Sequence, residues 1–189
     1  MAKEIIYEIK NNYDFYNGLC KEDKLTNSRV IKLIKPGNNK NILEEATDVR
    51  HSRFTNNIKL LVAVKRHNHK FFQFKLRCTD LCQMPFFRYD SDGEAHRNYD
   101  SNIRLENQQV TTPHFHYYNE QGINIAYKTP QLKKEETRKA LEDIDICVNH
   151  FYDEAKLIST SGDVNIEIEP NLLNFPAFQE DPNHNVTFI

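Results

Sequence analysis

The chain has no tryptophan, two methionines and no apolar run approaching the length of a membrane span. A transmembrane helix needs about 20 apolar residues in succession, so no membrane partner is expected. Neither charge is in excess: 25 lysines and arginines face 27 aspartates and glutamates, a net charge of -2. That balance gives no bulk attraction to nucleic acid or to an anionic membrane. Any nucleic-acid contact therefore has to rest on a local patch. The four cysteines, Cys20, Cys78, Cys82 and Cys147, are scattered. Nothing reads as a signal peptide, so the expectation is a cytoplasmic protein with reduced thiols. Cys78 and Cys82 have three residues between them and no second pair, which reads as buried thiols rather than zinc ligands. No internal repeat is present. The lack of tryptophan, beside many Asn, Lys and Ile, is the bias of an AT-rich genome and says nothing of function.

What remains is the make-up of an ordinary globular protein: 189 residues, 39% hydrophobic and 28% charged. One α+β domain over residues 1–170 is expected, followed by a tail, 171–189, that is extended or disordered. Ile6, Ile9, Tyr13, Tyr16 and Cys20 recur at helical spacing, predicting a helix over 4–20. Residues 28–35 are short, β-branched and stopped by Pro36-Gly37, which favours a strand. Residues 38–56 are polar and read as irregular. Residues 58–65 and 70–77 form the clearest hairpin. Ile58, Leu60, Val62 and Val64 share one face of its first arm, and Phe72, Phe74 and Leu76 share one face of its second. Lys75 and Arg77 then point outward and, with Lys65 and Arg66, form a basic rim. Thr129-Pro130 has the chemistry of a helix start. Leu141, Ile144, Val148, Phe151, Ala155 and Ile158 follow at spacings of three and four, predicting one long helix over about 131–158. Val164, Ile166 and Ile168 alternate as a short strand. The expected architecture is a largely antiparallel sheet, with that long helix packed on it and a shorter helix near the N-terminus.

The stretch from Phe86 to Ala126 organises the chain. Alternation along Phe86–Asp90 sends Arg88 and Asp90 to one side. The same rule gathers His114, His116, Tyr118 and Glu120. Between these strands lie some twenty polar residues, among them His96, Asn98 and Asp100. A loop of that length in a compact domain is usually functional or disordered. Three chemistries suit the set. In metal-free cleavage of RNA through its own 2′-OH, His114, His116 and His96 would move protons. Arg88 would hold the phosphate and Asp90 would orient an imidazole. Asn98, Asp100, Tyr118 and Glu120 would contact the substrate, and no cofactor would be needed. Alternatively, His114, His116 and Glu120 have the spacing of a His-x-His-x3-Glu divalent-metal site, completed by His96 or Asp90. In the third, the same face binds a nucleotide or a host defence protein without turnover. Each residue alone has a plainer reading: Arg88 with Asp90 as a surface ion pair, and His-x-His as a solvated strand face. His67, His69, His150 and His184 read as structural or incidental.

The central stretch also resembles an uncharacterised family of small intracellular proteins from bacterial mobile elements, phages and their hosts. Its members share R-x-D-x-x-G-x-x-H-x-N-x-D, a spacer, then P-H-x-H-x-Y-x-E-G and an alanine shortly after. The matching residues are Arg88, Asp90, Gly93, His96, Asn98, Asp100, Pro113, His114, His116, Tyr118, Glu120, Gly122 and Ala126. The chain departs where the family has Asn-Pro-Asp-Gly and this sequence has Asn98-Tyr99-Asp100-Ser101, and where Gln121 separates Glu120 from Gly122. With the preceding hairpin and the following helix, the resemblance spans roughly residues 50 to 155. It implies an accessory protein of a phage or mobile element and brings no activity with it. A more distant similarity, in the Arg-Asp and His-x-His pattern, is to toxins of toxin–antitoxin systems, which implies a ribonuclease.

Overall fold

The computed structural model describes residues 4–100 and 102–168; the tail expected over 171–189, and His184 within it, lie outside the described residues. Three long strands form the middle of the main sheet: β3 (Ile42–His51), β4 (Ile58–Lys65) and β5 (Asn68–Cys78). They are flanked on one side by β6 (Phe87–Asp90), β9 (His114–Tyr118) and β10 (Asn124–Tyr127). On the other side lie β1 (Lys24–Thr26) and β11 (Leu157–Ser159). The order across the sheet is β10-β9-β6-β5-β4-β3-β1-β11. Every neighbouring pair is antiparallel except β1 with β11. Two small sheets complete the fold. One pairs β2 (Val30–Leu33) with β12 (Asn165–Ile168) in parallel. The other pairs β7 (His96–Arg97) with β8 (Gln109–Val110).

The core lies on one face of the main sheet. Leu60, Val62, Val64, Phe72, Phe74, Leu76, Tyr89 and Phe115 are all fully buried there. Helix α5 (Ile144–Glu154) covers them. Its Phe151 ring lies 5.1 Å from Phe74, 5.7 Å from Phe87 and 6.2 Å from Phe115. Cys78, Cys82 and Cys147 are buried free thiols in this core.

Three expectations are corrected. The helix of 4–20 is two helices, α1 (Tyr7–Asn11) and α2 (Tyr13–Lys21), because the backbone of Asn12 leaves the helical region. The long helix of 131–158 is three: α3 (Pro130–Lys133), α4 (Glu135–Ala140) and α5. Lys134 is extended, and Asp143 starts α5 anew by accepting from the Asp145 N–H, a side-chain cap that ends any continuous helix. Beyond α5, Lys156 takes φ 54° and turns the chain into β11, so Ile158 lies on a strand and is half-exposed. The segment 38–56, expected to be irregular, holds the ten-residue β3. Its core-side alternation, Leu43-x-Glu45-x-Thr47-x-Val49, is broken by two polar residues, so its strand character shows only in the pairing with β4. Thr129, by contrast, accepts from the Leu132 N–H with Pro130 in the first turn, the expected helix start. No helix among the described residues is long and apolar enough to cross a membrane.

Phe151 is fully buried in a cluster of four rings, and Phe151→Ala should destabilise the protein by about 3–5 kcal/mol. Denaturant unfolding of the variant checks this; a loss below about 1 kcal/mol would mean that α5 does not seat this ring in the core.

A buried histidine–aspartate cluster as candidate metal centre

The face of the sheet opposite α5 carries the polar residues. β6 and β9 pair so that Arg88 stands opposite His116 and Asp90 opposite His114. Directly opposed residues of antiparallel strands share a face. The register therefore turns two alternating dipeptide patterns into one four-residue patch. β5 adds Lys75 opposite Arg88 and Gln73 opposite Asp90, and β10 adds Ala126 opposite His116.

The patch is buried, not solvated. His114 and His116 are each 2% exposed and Asp90 is 6% exposed. Part of the cover is the excursion between β6 and β9. His96 donates or accepts at the Asn124 carbonyl over 3.2 Å, and its ring centre is 4.9 Å from that of His116. Asn98 pairs with the outer edge of β10 through its side-chain amide, donating to the Ala126 carbonyl (2.9 Å) and accepting from the Ala126 N–H (2.7 Å). Two side chains at alternate positions thus take the place of a further strand and satisfy an edge that would otherwise be unpaired. Asp100 fastens the loop, accepting from the Asn102 N–H and the Asn119 side-chain amide.

Inside the patch, each polar atom can be followed. Gln73 Nε2 donates to Asp90 Oδ1 at 2.9 Å. Arg88 Nη2 donates to His116 Nε2 at 2.9 Å, since a guanidinium has no acceptor. Arg88 Nε is 3.0 Å from Asp90 Oδ2 but lacks hydrogen-bond alignment. His116 Nδ1 bonds Asn124 Oδ1 at 2.6 Å, which places its proton on Nδ1 and leaves Nε2 as the acceptor. His116 Nε2 is also 3.1 Å from Asp90 Oδ2, so a second proton there would find a partner as well.

His114 has no such arrangement. Its Nδ1 is buried and makes no aligned hydrogen bond, although the Thr111 backbone lies close enough to favour the charged ring, and its Nε2 stops 3.8 Å from Asp90 Oδ2, beyond hydrogen-bond reach. Burial, followed by the proximity of His116, pushes the His114 imidazolium down to about 4. Burial and the His116 and Arg88 charges likewise hold His96 below its ordinary value. For Asp90, burial favours the neutral acid. The His116 contact and the Arg88 charge outweigh it and keep the carboxyl below its usual range.

One nitrogen from each of His114 and His116 and one oxygen of Asp90 lie within 4.8 Å of one another, a buried cluster that could hold a metal ion. Two ligands on one tetrahedral ion, at bonds of about 2.0–2.1 Å, sit about 3.3 Å apart. The 3.1 and 3.8 Å separations to Asp90 bracket that edge. The orientation of His116 is that of a ligating imidazole, one nitrogen held by an oxygen and the other facing the cluster.

The structure thus brings together Arg88, Asp90, His114 and His116, with His96 beside them. Asn98 and Asp100 hold the loop and do not enter the cluster. Tyr118 is 3% exposed; it packs edge-on against Tyr16, and its N–H donates to the Tyr16 hydroxyl. Its phenol is raised by burial, against an opposing hydrogen bond with Asn124.

Glu120 is a correction. β9 ends at Tyr118, and Asn119 to Gly122 form a turn in which Asn119 Oδ1 accepts from the Gln121 and Ile123 N–H groups. The turn needs φ 71° at Gly122, and it carries Glu120 out to solvent, so the carboxylate grouped with the two histidines is Asp90. Two members went unread in the sequence, Gln73 and Asn124. Each is a lone polar residue between apolar neighbours on a strand, Phe72-Gln73-Phe74 and Ile123-Asn124-Ile125, and that contrast is the signal that marks them.

The His114 shift has a consequence for stability. The unfolded chain protonates this imidazole near 6.5, while the folded chain resists until about 4. Protons then favour the unfolded state, so stability is full above about pH 6.5 and falls as pH drops toward 4. Thermal unfolding across that window, in EDTA, should show this slope, and His114→Gln should flatten it. An identical slope in the variant would remove His114 as its source. No family model, no curated protein and no solved structure matches this chain.

Proposed function

We propose that the protein carries a metal centre in which His114, His116 and Asp90 ligate a first-row divalent ion. The carrying observation is His114: an imidazole 2% exposed, with the Thr111 backbone beside it, no aligned hydrogen bond at Nδ1, and Nε2 aimed at Asp90 without reaching it. Nε2 faces Asp90 Oδ2 at 3.8 Å without bonding it, and a metal bond there would supply the partner that this nitrogen lacks, with the Thr111 backbone steadying the ring. Two imidazoles and a carboxylate suit Zn, Fe or Mn, and such an ion, when bound, polarises an oxygen or activates a water. Arg88 is the cation that now holds His116 and Asp90, and its side chain is 28% exposed. On this reading it swings outward when the ion enters, and it then faces an anionic substrate beside the metal.

A second reading keeps Arg88 in place. Its contacts with both His116 and Asp90 are those of a metal-free site in which guanidinium and imidazoles act on a phosphate ester, as in a toxin-like ribonuclease. An RNA strand would then have to displace the 91–113 loop, since neither His114 nor His116 is open to solvent. Placement among phage or mobile-element accessory proteins, anti-defence proteins included, rests on the residue pattern from Arg88 to Ala126.

Metal analysis separates the readings. The purified wild type should hold about one equivalent of a first-row metal. His114→Ala, His116→Ala and Asp90→Asn should each lose it, and Glu120→Ala should keep it. A wild type that stays metal-free after dialysis against Zn²⁺, Fe²⁺ and Mn²⁺ would overturn the metal centre. RNA cleavage that survives EDTA and is abolished by His116→Ala would favour the second reading.

A further inference from the structure

We infer that Lys75, Arg77 and Arg88 form an oxyanion subsite for a phosphoryl group, on the same face of the sheet as the cluster and beside it. The placement follows from register. Lys75 is directly opposite Arg88 across β5 and β6, and Arg77 lies two residues farther along β5, about 6.6 Å on at strand spacing. All three point away from the α5 face, which Phe74 and Leu76 occupy on the same strand.

Arg88 is engaged by His116 and Asp90, but the other two cations are free. Among the described residues, the Arg77 side chain makes no hydrogen bond or ion pair, and its Nε is buried without a partner. The Nε of Arg88 is buried and unaligned in the same way. Lys75 forms no ion pair either. Glu44 and Asp90 act on it only from a distance, while burial and the charges of Arg88 and Arg77 make its protonated form less favourable. The next cation on this face, Lys59 opposite Arg77, faces Asp48 at 3.9 Å. Lys75 and Arg77, half-buried with open donors, repel each other and Arg88, and a doubly charged anion relieves that repulsion. Guanidinium forks match the oxygens of phosphate, and a lysine supplies a point charge between them. With a net charge of -2 on the chain, no global field accounts for such a concentration.

Lys75 and Arg77 are free without a metal, so the subsite is tested in EDTA, where these two carry the binding. Inorganic phosphate is titrated by calorimetry at low chloride against the wild type, Lys75→Met, Arg77→Met and the control Lys32→Met on β2. The wild type and the control should bind phosphate alike, and each of the other two should bind about tenfold or more weakly, the effect of losing one charge-assisted contact. No binding by the wild type, or equal affinity in all four, would overturn the inference. Should a variant fail to fold, the side-chain Nε–H resonance of Arg77 in the wild type decides. It should shift on phosphate addition and not on chloride addition at equal ionic strength; a resonance that ignores phosphate overturns the subsite.

Discussion

The register between β6 and β9 is the constraint on which the rest depends. Opposing Arg88 with His116, and Asp90 with His114, puts a cation, an anion and two imidazoles on one small patch of sheet. A slip of one residue would send Phe87, Tyr89 and Phe115 to that patch and the charged groups into the aromatic core under α5. Core packing and site assembly are therefore one requirement. The fully buried rings of Tyr89 and Phe115, 4.8 Å apart, lock the same register that the polar face uses.

Burying such a patch is expensive unless its members satisfy one another. Most do. Asp90 is served by Gln73 and the Arg88 charge, and His116 by Asn124 and Arg88. The long loop contributes by closing the edge of β10 with His96 and Asn98, which removes both strand edge and cluster from solvent. His114 Nδ1 and Arg88 Nε lack aligned hydrogen bonds, and His114 Nε2 stops short of Asp90; the proposed metal centre rests on that gap. The free cations on the adjoining strand, Lys75 and Arg77, make the same point about an anion.

Much of this was legible in the sequence, for a physical reason. A strand repeats every two residues, so Arg88-x-Asp90 and His114-x-His116 declare their shared faces without any structure. What failed were inferences that ran past the end of an element. Glu120 has the right phase, but Gly122 and the Asn119 side chain turn the chain before it can act. The apolar repeat through Leu141, Val148 and Ile158 has helical phase, yet Asp143 caps α5 and Lys156 ends it, so one helix became three and a strand. Periodicity reports which face is apolar; it does not report where local hydrogen bonds interrupt the backbone. Strand β3 shows the converse, since polar residues at Glu45 and Thr47 hid a strand that pairing with β4 enforces.

The most direct test of the central claim is nitrogen NMR of the histidine side chains during Zn²⁺ titration. The account predicts that Nε2 of His114 and of His116 shift together, saturating at one equivalent. It predicts that His150, which bonds Thr129 at the far side of the core, stays unmoved. Resonances of His114 and His116 that are unchanged at saturating zinc would contradict it.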